Sequence, residues 1–134
     1  MRELKFRFYP KNQITNFQGK TLQKMWEATS IDFEENEISN GGDIFSLNEV
    51  ELMQYTWFKD KKWKEIYEGD ILFSDKRKWM SWVNWYYKVE YSSFFWTFEL
   101  FGSYPSDNDV VCEFTSKFFE VVWNIYENHD LLNN

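Results

Sequence analysis

Hydrophobic and polar positions alternate strictly at the start of the chain, with Leu4, Phe6 and Phe8 on one side and Lys5 and Arg7 on the other. A period of two predicts a half-buried strand, and Pro10 followed by Lys11-Asn12-Gln13 predicts its end in a turn. Ile31-Asp32-Phe33 is a second, shorter alternating piece. Asn40-Gly41-Gly42-Asp43 is the strongest turn signal in the chain and leads into Ile44-Phe45-Ser46-Leu47. The rest of residues 12–43 shows little regular pattern and reads as an irregular lobe.

From Glu49 the pattern tightens. Leu52-Met53-Gln54-Tyr55-Thr56 and Glu65-Ile66-Tyr67 bracket Lys59-Asp60-Lys61-Lys62, which predicts a hairpin with an exposed basic tip. In Glu68-Gly69-Asp70-Ile71, Gly69 permits a positive-φ bend, Asp70 can hydrogen-bond back onto the turn, and Ile71 opens a strand. Residues 82–91 and 94–101 are β-rich, separated by Ser92-Ser93, and residues 102–109 are a loop by composition. Residues 115–122 fit a strand or a short helix, the closing strand runs over 121–126, and residues 128–134 are polar. Short strands, tight turns and little helix predict a mainly β fold, with α+β open through the 115–122 stretch, bent into a small barrel or roll.

Composition narrows the class. With 134 residues, of which 22% are aromatic, the chain can build one real core, and disorder is excluded. One Cys excludes an internal disulfide framework and fits a reducing compartment. No apolar run approaches the ~18 residues of a membrane span, and Met1-Arg2-Glu3-Leu4-Lys5 lacks a signal-peptide core, so the expectation is a cytoplasmic protein with no membrane partner. The net charge of −7 comes in blocks: residues 31–58 hold seven acids and no base, while the Lys59–Lys64 and Lys76–Lys78 segments are basic. That balance argues against general nucleic-acid binding, which needs concentrated Lys and Arg.

Three stretches together resemble the YopX family of phage and prophage proteins: the opening Met1-Arg2-Glu3-Leu4-Lys5-Phe6-Arg7; Leu52-Met53-Gln54-Tyr55-Thr56 with Lys59-Asp60-Lys61 and Lys64-Glu65-Ile66-Tyr67-Glu68-Gly69-Asp70-Ile71; and Phe119-Glu120-Val121-Val122 with Asn124-Ile125-Tyr126-Glu127-Asn128. The resemblance implies one domain over 1–134. Within it, a less regular N-terminal lobe occupies 1–48, an SH3-like β roll occupies 49–128, and a polar tail occupies 129–134. It implies no activity and no catalytic residues, in a protein acting in a bacterial host cell. Where the family tends to place glycine, this chain has Trp57, Trp63 and Trp123. At a hairpin tip a Trp adopts positive φ only at a steric cost, so either the turn differs in type or its backbone is strained.

Candidate chemistry is sparse. His129, the one histidine, lies in the polar tail, where nothing holds it against a substrate. Cys112, between Val111 and Glu113 in an apolar stretch, reads as a small buried hydrophobe. One His and one Cys do not make a zinc site. An EF-hand begun at Asp107 would have Cys112 and Phe118 where a glycine and a glutamate are needed. Gly41-Gly42 lacks the rest of a phosphate loop. The expectation is a non-enzyme with no cofactor and no metal.

The remaining signal is aromatic. In residues 82–91, Val83, Trp85, Tyr87, Val89 and Tyr91 share the core parity, while Trp82 and Tyr86 point outward. Phe94, Trp96 and Phe98 oppose Phe95, Thr97 and Glu99, which leaves one face aromatic on the outside. Three readings compete: an aromatic-rich core; a surface for a host or phage protein, or for self-association, through Trp57, Trp63, Trp82 and Tyr86; and a base-stacking platform beside Lys59, Lys61, Lys62, Lys64, Lys76, Arg77 and Lys78. Because Trp57, Phe58 and Trp63 would make an aggregation-prone patch if all were exposed, at least one of Trp57 and Trp63 is expected to pack against the core or a second subunit.

Overall fold

The alternating opening segment is strand β1, Phe6–Pro10. It pairs antiparallel with β2 (Trp26–Glu27) on one side and with the first half of β6 (Val50–Lys59) on the other. This central place in a sheet overrides the half-buried expectation: Phe8 is fully buried, but Arg7, expected outside, is only 8% exposed. Leu4, expected inside, precedes the strand and is 64% exposed.

This is a computed structural model, describing residues 4–13, 15–74, 86–92, 97–101 and 109–127. The chain divides into two compact units, one ending at Gln54 and the other starting at Tyr55.

In the first unit, residues 12–43 are more ordered than their pattern predicts. Strands β3 (Ser30–Asp32), β4 (Glu37–Ser39) and β5 (Ile44–Ser46) form an antiparallel sheet in that order. Three-residue strands hold too few positions to display a period of two. Phe33, expected to continue the alternation of Ile31, lies in the turn after β3 and is 73% exposed. The strong turn signal joins β4 to β5: Asn40 Oδ1 accepts from the Gly42 and Asp43 N–H groups at 2.9 and 2.7 Å, and Gly41 takes φ 97°. Phe8, Leu22, Ile38, Phe45 and Val50 form this unit's core.

In the second unit, the remainder of β6 pairs with β7 (Glu65–Tyr67). Strands β8 (Asp70–Phe73), β9 (Tyr86–Ser92), β10 (Thr97–Phe101), β11 (Asp109–Val110) and β12 (Glu120–Asn124) form a five-stranded antiparallel sheet in the order β11-β10-β9-β8-β12. The β7–β8 turn is built as its residues suggest: Gly69 has φ 81°, and Asp70 Oδ2 accepts from Tyr67 N–H at 2.9 Å. Gly69 N–H then reaches the Val89 carbonyl, and its own carbonyl takes Ile125 N–H, both at 2.8 Å. The ambiguous stretch divides into helix α1 (Glu113–Phe118) and β12. The closing strand stops at Asn124, whose Oδ1 accepts from Tyr126 and Glu127 N–H at 3.1 and 2.8 Å and turns the chain. Cys112 is half-buried rather than buried, because it is the residue that starts α1; its N–H donates to Thr115 Oγ1 at 3.1 Å.

The core of this unit gathers Ile66, Leu72, Tyr87, Val89, Phe98, Leu100, Val111, Phe119 and Val121, so the β6–β7 hairpin and the five-stranded sheet share one interior as a mainly β roll. Tyr87 and Val89 take the core parity assigned to them. Tyr91, assigned the same parity, is near the strand end and 47% exposed, and Phe98 lies in the core. Trp82, Val83, Trp85, Lys76, Arg77, Lys78, Phe94, Phe95, Trp96, the 102–108 loop and His129 lie outside the described residues.

Candidate interaction surface

The hairpin tip is where local chemistry and expectation part most clearly. Between the pairs Tyr55↔Tyr67 and Lys59↔Glu65, β6 uses more residues than β7, which makes a bulge. Bulges of this kind want a left-handed residue, usually glycine. Trp57 fills that place with φ 70°. Thr56 mends the interrupted ladder: its Oγ1–H donates to the Ile66 carbonyl at 2.8 Å, and the oxygen accepts from Phe58 N–H at 3.3 Å.

The turn itself is Lys61-Lys62-Trp63, closed by Asp60 N–H to the Lys64 carbonyl at 2.8 Å and Trp63 N–H to the Asp60 carbonyl at 3.0 Å. A three-residue hairpin loop of this form ends in a left-handed residue. Trp63 supplies it at φ 66°. The chain therefore keeps the glycine geometry without the glycine at both positions, and the strained alternative is the one realised. A left-handed backbone costs a non-glycine residue roughly 1–2 kcal/mol. Trp123, the third such position, is not among the positive-φ residues described.

The two strained tryptophans have different surroundings. Trp57 is half-buried against the core, its ring edge-on to Phe98 at 6.1 Å between centroids. Trp63 is 80% exposed, with Lys59 Nζ 5.7 Å from its ring centroid. Tyr86 faces away from the core as expected, but it is covered by Phe73 at 5.3 Å and by Trp123, stacked at 5.1 Å. Among the described candidates, Trp63 alone offers a broad free face.

The tip is not a simple solvated basic loop, because Asp60 is only 4% exposed. Its Oδ1 accepts from Lys62 and Lys64 N–H at 2.8 and 2.9 Å, and its Oδ2 accepts from Val121 N–H at 2.9 Å. Lys61 N–H donates to the Phe119 carbonyl at 2.9 Å. The turn is thereby fastened to the start of β12. Of the four tip lysines, Lys61 and Lys62 meet at Glu120, 3.9 and 2.7 Å from their Nζ atoms, while Lys59 lies by Trp63. The hydrogen bond to Glu120, and then its charge, raise the Lys62 pKa above its ordinary value. Sequence reasoning missed Asp60 and Glu120. An Asp opening a lysine-rich turn signals a local cap, but its bond to Val121 spans 61 positions and has no local signature.

Among the described residues no group of three or more His, Cys, Asp or Glu side chains could hold a metal ion, and no helix is long and apolar enough to cross a membrane.

A β roll with a fastened, aromatic-tipped hairpin defines a small, mainly β protein. Residues 5–133 match the family described as YopX protein, and the chain belongs to that family. The crystal structure of protein EF1440 from Enterococcus faecalis is similar over 98% of this chain and 99% of that one, with a TM-score of 0.67 at 23% identity, a likeness of fold. No curated protein matches the chain.

Proposed function

We propose that the chain is a non-catalytic interaction protein of the bacterial cytoplasm. It docks a host or phage protein, or a second copy of itself, through the tip of the β6–β7 hairpin. The observation that supports this is Trp63, 80% exposed on a left-handed backbone and on a turn fastened by Asp60. Folding gains nothing from so exposed a side chain, and Trp is among the residues most enriched at the energetic centres of interfaces. A turn already held in place loses little further entropy on binding. The base-free acidic run over residues 31–58 favours a basic partner, such as a nucleic-acid-binding or defence protein of the host.

Base stacking on Trp63 beside Lys59 and Lys64 is the second reading. Glu120 opposes it by offsetting the charge of Lys61 and Lys62.

Trp63→Gly tests the first reading, with capture from bacterial lysate and light scattering run in parallel on both proteins. The expected result is a retained protein, or a dimer, that the variant loses. Identical retention and monomeric behaviour in both proteins would overturn it. For the second reading, fluorescence anisotropy with single-stranded oligonucleotides at ~50 mM salt is expected to show no binding in the ~10⁻⁴–10⁻⁶ M range. Binding in that range that Trp63→Gly abolishes would reverse the order of the two readings.

A further inference from the structure

The first unit carries an open cleft of about 470 Å³ that the tip does not explain. Its size lies within the range of ligand sites. The floor is apolar, made by the buried side chains of Leu22 and Phe45. On the rim stand two large apolar side chains, Phe17, fully exposed, and Ile44, 68% exposed. Phe17 is not on a loose segment: Asn16 Oδ1 accepts from Gln18 and Lys20 N–H, both at 3.0 Å, and the Thr15↔Thr21 bridge closes the loop that presents it.

Two further features specify the occupant. Asp43 and Glu49 line the cleft; among the described residues no Lys or Arg lines it, and neither carboxylate pairs with a cation. Gly42, Asp43, Ile44 and Phe45 all line it in succession. Gly42 and Asp43 belong to the turn before the strand, while Ile44 and Phe45 are consecutive strand positions. Side chains of a strand alternate between faces, so two successive strand residues lining the cleft place it along the strand's edge. That strand is β5, which lies at the end of its sheet, and no described strand pairs with its far side. An open strand edge accepts another extended segment by backbone hydrogen bonding.

We propose that this cleft binds an extended basic peptide segment of a partner protein, seating one apolar side chain over Leu22 and Phe45 between Phe17 and Ile44, with flanking Lys or Arg on Asp43 and Glu49. The proposal rests on the protein-interaction reading and gives it a second contact of stated chemistry, independent of Trp63.

The test uses the full chain and a pool of nine-residue peptides carrying Lys or Arg around a central Leu or Phe, with a matched pool carrying Glu. Amide shifts are followed by two-dimensional NMR. The basic pool is expected to shift amides of residues 15–17 and 42–49, with affinity that falls as salt rises. Phe17→Ser, at a position the fold does not bury, and the double variant Asp43→Asn with Glu49→Gln are each expected to weaken binding at least ~10-fold, the effect of removing a contact of about 1.4 kcal/mol. Three results would overturn the cleft: no shift there at millimolar peptide, equal binding of the acidic pool, or full affinity in the double variant. Dilution-dependent shifts at the same amides without peptide would also overturn it, by making a second copy of the chain the occupant. Shifts confined to the Trp63 turn would overturn the cleft while leaving the interaction reading standing, whereas cleft binding with an inert Trp63 would do the reverse to the tip.

Discussion

Two tryptophans share one backbone anomaly and make opposite predictions. Trp63, with φ 66° and 80% exposure, contributes strain and no packing. Trp63→Gly is therefore expected to raise stability by about 1 kcal/mol, read as a higher urea midpoint with an unchanged slope. Trp57, at φ 70°, gains the same relief as glycine but loses its packing against the core and Phe98. Removing a partly buried aromatic outweighs the relief, and Trp57→Gly is expected to lose about 2 kcal/mol. Equal effects from the two substitutions would mean that packing does not separate the residues. Lys62 permits a check on the tip's electrostatics. Its pKa is raised by Glu120, so the bridge's contribution is complete below the ordinary lysine value of about 10.4 and is lost as pH rises through the raised one. The NMR titration midpoint of Lys62 is expected to fall in Glu120→Gln, and neutral-pH binding is expected to be insensitive to this group.

The element that organises the second unit is the β6–β7 hairpin, and Asp60 is its fastening. One buried carboxylate satisfies three backbone N–H groups, one of them on β12. Asp60→Asn keeps the size but turns an N–H donor toward at least one of those amides, and an unsatisfied buried donor costs roughly 1–3 kcal/mol. A loss of about 2 kcal/mol is expected, together with faster hydrogen exchange at Val121, the amide that only tertiary structure brings to Asp60. If exchange quickens at Lys62 and Lys64 but not at Val121, the turn is capped locally and does not fasten the roll. Much of this element is legible in the chain: the lysine-rich turn between apolar runs, and the Gly69-Asp70 bend with its carboxylate on Tyr67 N–H. The bulge at Trp57 is not, because a strand's residue count carries no mark of which position is left over when it is paired.

For the whole molecule, charge makes the simplest prediction. At a sequence pI of about 4.8 the −7 net charge is gone, so solubility should reach its minimum there, measured as turbidity against pH. A minimum near neutrality would mean that apolar association dominates. Period, turn chemistry and composition by themselves determined a mainly β chain, the opening strand, the Asn40 and Gly69 turns, and the core parity of Tyr87 and Val89. These are properties of residues close in sequence, where alternation and φ preference act. The tertiary structure decided that Arg7 is buried, because β1 is flanked by strands on both sides. It also separated Trp57 from Trp63, covered Tyr86 with Trp123, turned the basic tip into a fastened turn, and opened a cleft beside β5 from residues 15 to 49. Burial, closure and concavity depend on which distant segments meet, and a linear pattern of polar and apolar positions does not encode those meetings one residue at a time.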